Sequence, residues 1–465
     1  MATGAWYGRA LALTGALAAL VPAVWMWGFS VDDALISLRY AHNIAAGAGY
    51  RFDASGPSTD GVTPLPWAPL LVPLSAGGDL VAALERAKVL GVVAWTAAGA
   101  ALGSALAKRA AGEPRPTMHA AVALAVLALA FPVGAWAASG METGVATALA
   151  TCAAASFERP RRAALLAGLA ATLRPEMVVW ALFVAGGAAI GTPAPRRARA
   201  VALAVGIAFA PFASCTLVRL VAFGRVSPLA LLAKPSDLYH GLVYAGAGSL
   251  VVLLPVLVFA PAALRCASSL AKTLAIAALV HLVVVIGVGG DWMPYARLIV
   301  PIVPSLALVF VDVGRVAHRA STLARTVIAV VLGCLVAAKA APAGRHVHMA
   351  RKELIAKARP VLADAKVVAA LDVGWVGAAT NARIVDLAGL TDPAIAVLAG
   401  GHTSKAVDLA MLLDRDVDTF VIYGEPRIVE QRLLRAQLFR ERFERSAGVT
   451  FGLHGGQRYD VYRRR

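Results

Sequence analysis

Charge is scarce in this chain. Only 15% of its 465 residues are Asp, Glu, Lys or Arg, against about 25% in a soluble globular protein, which excludes an ordinary cytosolic enzyme. Cysteine is scarcer still. Cys152, Cys215, Cys266 and Cys334 are the four present, each in or beside an apolar run, with no CxxC pair and no Cys/His spacing suited to zinc. Neither a disulfide framework nor a metal site follows from them. Acidic residues are outnumbered 27 to 44 by Lys and Arg. That excess is spread over separate segments and gathers on no one face, so it gives no sign of nucleic-acid binding. What the chain has in quantity is hydrocarbon: 59% of its residues are hydrophobic and its mean hydropathy is +0.71. The apolar blocks recur from residue 10 to residue 341, which one removable signal peptide cannot explain. The expectation is a polytopic α-helical membrane protein of the inner (plasma) membrane.

The chain divides once, near residue 342. Residues 1–341 hold 25 basic and 13 acidic residues, whereas 342–465 hold 19 and 14. The second part lacks any long apolar stretch. Strand candidates Val367–Leu371, Thr419–Tyr423 and Tyr459–Tyr462 alternate with helical patterns at Lys405–Leu413 and Glu430–Phe443, which predicts a small α/β domain. In the first part a spanning helix needs about 20 apolar residues. Eleven crossings are expected, centred near residues 19, 97, 126, 149, 168, 184, 210, 257, 280, 305 and 332, the fourth to sixth being short or flanked by charge. Residues 64–77 are broken by four prolines and are read as dipping into the membrane. With the N-terminus inside, the inner loops carry 15 Lys and Arg but only three acids, Glu113, Glu158 and Asp312. Inner loops are normally the basic ones. An odd number of crossings then places the α/β domain outside the cytoplasm.

The first outer loop, residues 30–66, carries the sharpest signal. It reads Ser30-Val31-Asp32-Asp33-Ala34-Leu35-Ile36-Ser37-Leu38-Arg39-Tyr40-Ala41-His42-Asn43. Two adjacent carboxylates directly after a spanning helix are expensive to hold near hydrocarbon. They can serve a helix start, with Asp32 or Ser30 capping free N–H groups and Asp33 at the positive end of the dipole. In a helix, Asp32, Ile36, Arg39 and Asn43 also share a face. That sets a carboxylate and a guanidinium about 10 Å apart along it. A proton-accepting carboxylate with a cation nearby is what chemistry with a phosphate leaving group requires.

The segment Asp32 to Trp67 resembles the first loop of the C-type superfamily of membrane-embedded glycosyltransferases. It is most similar to the terminal arabinofuranosyltransferases of mycobacterial cell walls and their relatives. Those proteins run D-D-A-aromatic-I-S-x-R-Y-A-x-N, a glycine pair, and an E-G-Y-T-N-x-L-W-like stretch. Here Leu35 replaces the aromatic, and Asp60-Gly61-Val62-Thr63-Pro64-Leu65-Pro66-Trp67 lacks the tyrosine and asparagine. Further matches follow in order: Ser139-Gly140-Met141-Glu142-Thr143, Arg174-Pro175-Glu176, Lys234 after a Ser-Pro pair, and Gly289-Gly290-Asp291-Trp292-Met293-Pro294-Tyr295-Ala296-Arg297. Asp372-Val373-Gly374 and Ile384 to Pro393 complete the series.

The resemblance implies a sugar donor on a polyprenyl phosphate, an acceptor that is a cell-envelope glycan or lipid, and transfer at the outer face of the membrane. Carried over, Asp32 is the general base and Asp33 orients the acceptor or caps the helix. Arg39, Lys234 and Arg297 are expected at the donor phosphate, and Asp291, Glu142 and Trp67 around the substrate. Bland readings stand beside these. Lys234 has the alternative of a snorkelling surface lysine, Arg297 of an interface anchor, and Arg174 with Glu176 of a structural ion pair. Asp386 and Asp392 read as turn and cap residues, and His240 and His402 as loop residues. No metal triad is apparent, and no cofactor is called for. Two other classes fit a polytopic basic chain: a flippase of lipid-linked sugars and a non-catalytic assembly protein. A transporter would more often show inverted repeats and charged broken helices at mid-membrane; an assembly protein would not need the Asp32-Asp33-Arg39 face.

Overall fold

The computed structural model describes residues 2–111, 116–263, 265 and 268–465; Glu113, Arg115 and Cys266 lie outside the described residues. Five helices are long and apolar enough to cross a bilayer: Trp6–Trp25, Leu80–Ala110, Ala194–Phe223, Ser269–Gly287 and Arg319–Val361. The pair Met118–Ala128 and Phe131–Ala137, bent by 60° at its break, makes six if counted as one span. The surface of Ala194–Phe223 fits a lipid solvent. Only 11% of its most apolar window is buried, and Leu217, Val218 and Val221 stand exposed, Val221 by 80%. An apolar face of that extent is a poor match for water, and a helix satisfies its own backbone in hydrocarbon.

The other expected crossings are helical but shorter or broken. Thr143–Ala155, Pro160–Leu173 and Val178–Ile190 have 13 or 14 residues. Each is about 20 Å of helix against a hydrocarbon core of about 30 Å. Prolines, which lack an N–H, interrupt the segments centred near 257 and 305. Leu238–Val252 is followed by single turns holding Pro255 and Pro261. Near 305 the chain runs as 3-10 turns begun by Val300-Pro301 and Pro304. The proline-rich segment 64–77 forms a nine-residue helix, Trp67–Ser75.

The chain forms two compact units. One comprises Met1–Phe29, Lys88–Cys215 and Ser236–Arg345. Within it, Gly99 and Gly103 meet the backbone at Gly15 and Leu11 so closely that a Cβ would collide. Small residues thus let two spans approach, as is common in membranes. Lys88, fully buried, donates to the carbonyls of Trp27 (2.5 Å) and Phe29 (2.9 Å) just beyond the first span. It satisfies two carbonyls in the turn that follows the helix.

The other unit comprises Ser30–Ala87, Thr216–Pro235 and His346–Arg465, so the first loop belongs with the tail. Its sheet has five strands: β1 (Val367–Ala370), β2 (Arg383–Asp386), β3 (Thr419–Tyr423), β4 (Phe443–Phe451) and β5 (Gln457–Arg464), in the order β2-β1-β3-β5-β4. β1 is parallel to β2 and β3; β5 is antiparallel to β3 and β4. All four residues of β1 are buried, as is usual for a parallel strand covered on both faces. Two strands escape the sequence pattern. β2 begins on exposed Arg383, and β4 is mostly exposed and carries a register shift between Arg445 and Ala447, the mark of a bulge. The helix expected over Lys405–Leu413 starts only at Leu409, because Asp408 caps it through the Ala410 N–H. Lys405 turns instead to the carbonyls of Ala396 and Leu398. Glu430–Phe443 is two helices, Ile428–Arg435 and Gln437–Arg442, with Phe443 opening β4.

Candidate functional site

Asp32 opens a helix, Asp32–Ala45, whose N-cap is Val31 with no side-chain cap. Neither Ser30 nor Asp32 therefore caps it. The Asp32 carboxylate instead meets the first turn of another helix, Val373–Ala379. It accepts from the Gly374 N–H through Oδ2 (2.8 Å) and from the Trp375 N–H through Oδ1 (2.9 Å). Unsatisfied amides at a helix start favour an anion. Gly374 is what allows the approach, since a Cβ there would collide with the Asp32 backbone oxygen and carboxylate. Arg351 adds its Nε at 3.7 Å from Oδ1 and donates to the Ser30 hydroxyl at 3.0 Å.

A second carboxylate lies beside the first. Asp372 precedes the Val373–Ala379 helix and accepts from the Tyr459 hydroxyl at 2.6 Å. Arg427 pairs with it at 2.8 Å and with buried Glu430 at 2.9 Å. Trp375 and Tyr423 close on the Tyr459 ring with centroids 4.8 and 5.2 Å away. Asp372 follows the end of β1, while Tyr423 ends β3, its neighbour in the sheet. The chain leaves β1 toward β2 on one side, and β3 lies on the other. Such a reversal at the carboxyl ends of parallel strands opens the crevice in which open α/β sheets bind ligands. Here the Asp32 carboxylate is seated in it.

Burial pushes the Asp32 carboxyl from its ordinary 3.8 up to about 7. Asp372 and Asp33 push the same way, while Arg351 and the Gly374 N–H oppose them. The side chain keeps 17% exposure, so solvent reaches it. A partly open carboxyl that titrates near neutrality suits proton abstraction, and displaced values of this kind cluster at functional sites. Burial, and the neighbouring Asp372, raise the Tyr459 phenol well above its ordinary range, so it remains a donor.

The other expected site residues separate into the two units. Asp33 is half-buried beside Asp32. Arg39 is committed to the fold rather than to a phosphate. It has five N–H donors, and they reach Phe52 O, Gly377 O, Thr380 O, Asp53 Oδ1 and Ala382 O. With 8% exposure it has no free edge for a ligand. Trp67 is fully buried, its indole N–H without a partner among the described residues, and so it offers a substrate no open face. Lys234, half-buried, caps the end of the Leu229–Ala233 helix through its N–H, and its ammonium has no hydrogen-bond or ion-pair partner among the described residues. Asp386 holds a turn through the N–H groups of Ala388 and Thr391, and Asp392 caps Pro393–Ala396.

In the unit of apolar helices, Arg174 bridges Glu142 (2.9 Å) and Glu176 (2.6 Å). Asp291 accepts from Arg297 (2.7 Å) and from the Trp292 N–H (2.8 Å). The Gly289–Arg297 loop turns through left-handed conformations at Gly289, Gly290, Tyr295 and Ala296. For the last two, which carry a Cβ, this costs about 1–3 kcal/mol each, and it aims Arg297 back at Asp291. His240 stacks on Trp292 at 4.2 Å. Among the described residues no group of three His, Cys, Asp or Glu is placed to hold a metal.

Residues 341–462 match a family described as "Domain of unknown function (DUF8728)". The match takes in Arg351, Gly374 and Trp375, which hold Asp32, and Asp372, Arg427 and Tyr459 beside them. No curated protein and no solved structure matches the chain. Asp372 and Gly374 stood in a recognisable sequence motif without a role. Arg351, Trp375, Arg427 and Tyr459 carried no local signal, because what selects them is proximity across more than 300 residues of chain.

Proposed function

We propose that the protein is a membrane glycosyltransferase that moves a sugar from a polyprenyl-phosphate donor to a cell-envelope glycan or lipid at the outer face of the plasma membrane. The observation that carries this reading is the Asp32 carboxyl, held by two amides, partly open and titrating near neutrality. As general base, Asp32 takes the proton of an acceptor hydroxyl. The oxygen bonds to the anomeric carbon, and the bond from that carbon to the phosphate oxygen breaks with inversion, releasing polyprenyl phosphate. The Gly374 and Trp375 N–H groups and Arg351 hold the carboxylate in place, and Asp33 orients the acceptor. Lys234 supplies the positive charge for the donor phosphate, as a point charge, in place of Arg39. The fold of the reading is the C-type one, with eleven crossings and the α/β domain outside.

The test is transfer by the purified, full-length protein from a polyprenyl-phosphate sugar. Asp32→Asn keeps the size of the side chain but removes the base, and should lower the rate by about 10²–10⁴-fold. Half the wild-type rate in that variant would remove Asp32 from the chemistry. Lys234→Ala should raise the donor KM and leave the acceptor KM unchanged; an unchanged donor KM assigns Lys234 to the surface. A flippase would move lipid-linked sugar across vesicles without forming a glycosidic bond.

A further inference from the structure

Away from Asp32, the same unit contains an open cleft of about 520 Å³. This lies within the range of small-molecule sites, about 300–1,000 Å³. One wall is the first loop, with Asp53, Ser55 and Thr59; the other is β2 and the turn after it, with Arg383 and Asp392, together with Arg415 from just beyond the Leu409–Leu413 helix. The walls are tied together at the Asp53 end. Asp53 accepts from Arg39 at 2.7 Å through one oxygen and from the Ile384 N–H at 3.2 Å through the other. None of these residues touches the Asp32 carboxylate.

Charge decides what the cleft can hold. Asp53 is paired with Arg39 and Asp392 with Arg415. The Arg383 side chain is exposed and makes no hydrogen bond or ion pair among the described residues, although its charge acts on Asp53 from a distance. One free guanidinium facing two carboxylates is a poor host for a phosphate or diphosphate, which favours several converging cations. The lining suits hydroxyls, which donate and accept at once. The half-exposed Asp392–Arg415 pair offers acceptor and donor edges side by side, and Ser55 and Arg383 add free hydrogen-bonding groups. Pro57 and Pro393 give apolar surface for the C–H faces of sugar rings.

We propose that this cleft is a saccharide subsite that holds the acceptor chain behind its reacting end. It rests on the transferase reading for the word acceptor, but not for saccharide binding. Arg39, which anchors the Asp53 corner, lies seven residues along the helix from Asp32, about 10 Å. A ligand that reaches both places is an oligosaccharide, not a single sugar.

Saturation-transfer NMR on the full-length protein in detergent tests this, with linear arabino-, galacto- and gluco-tetrasaccharides, their monosaccharides and inorganic phosphate as probes. At least one tetrasaccharide should bind at least tenfold more tightly than its monosaccharide. Ser55→Trp, which fills the cleft from an exposed loop position, and Arg383→Ala should each weaken that binding tenfold or more. The proposal is overturned if no tetrasaccharide binds, if both cleft variants bind like wild type, or if inorganic phosphate displaces the sugar from wild type but not from Arg383→Ala. Tetrasaccharide binding lost in Ser55→Trp, in a protein that shows no transfer at all, would keep the saccharide site and remove the transferase reading.

Discussion

A single carboxyl group couples chemistry to stability with opposite signs. Unfolded, Asp32 releases its proton near 3.8; folded, it does so near 7. Between those values the folded state binds more protons than the unfolded one, so this residue's contribution to stability is lost as pH rises through about 7. Asp32→Asn has no charge to bury. Its melting temperature should exceed that of wild type above pH 7, and the difference should shrink toward pH 4; a constant difference would mean that Asp32 does not titrate in this window. Activity should run the other way, rising to a plateau above pH 7 as the base loses its proton. Arg39 presents the contrasting case of a charge that serves the fold. Arg39→Ala takes the cation from the buried Asp53 carboxylate and a donor from four carbonyls, and breaking such a buried pair costs about 3–5 kcal/mol. Arg39→Lys should recover little of it, since an ammonium has three donors and no planar fork. A thermal unfolding midpoint unchanged in Arg39→Ala would contradict this assignment.

Two helices meet where the residues are small. Along Val373–Ala379, Gly374 backs onto Asp32 and Gly377 onto the Arg39 side chain. A spacing of three residues keeps both glycines on one face of the helix. Gly374→Ala should push the Asp32 carboxylate off its two amides and lower transfer by about 10²-fold, the penalty expected for a displacement near 1 Å. Because the Asp32 and Arg39 contacts are separate, Gly377→Ala should reduce stability more than the catalytic rate of the protein that remains folded. Parallel measurements of melting temperature and kcat on the two variants check this. Equal effects on both quantities would show that the helix pair moves as one body and does not hold Asp32 specifically.

At the scale of the whole chain, the first loop and the tail belong to one unit although more than 250 residues separate them. The proposed chemistry requires both outside the cytoplasm. Single cysteines in a cysteine-free background, at Ser58, Ser236 and Ser404, should react with an impermeant reagent in intact or outer-membrane-permeabilised cells. One at Thr192 should react only after lysis. The short helices at 143–155, 160–173 and 178–190 make this measurement decisive, since one miscounted crossing among them inverts everything that follows. Labelling of position 236 or 404 only after lysis would put Lys234 or the tail on the far side from Asp32 and end the shared-site proposal.

The sequence by itself determined the solvent and the local elements. The apolar runs show in the sequence, but not their breaks: of eleven expected crossings, five helices, or six with the bent pair, are long enough to span among the described residues. The Asp32–Ala45 helix, β1 and β3 follow from patterns that repeat within a few residues. The Asp32-Asp33 pair stood out for the same local reason, as charge beside hydrocarbon. What the tertiary structure decided is the surroundings of those charges. Arg39 looked like a phosphate ligand because sequence shows its charge but not the five acceptors folded around it. Trp67 looked like a substrate contact because sequence shows an aromatic but not its burial. Arg351, Trp375, Arg427 and Tyr459 are unremarkable where they stand in the chain. Their role depends on the sheet order β2-β1-β3-β5-β4, which brings the ends of β1 and β3 and the start of β5 to one crevice. Helix and strand periodicity act over a few residues, whereas a carboxylate's proton affinity depends on every charge and dipole within several ångströms, wherever in the chain they originate.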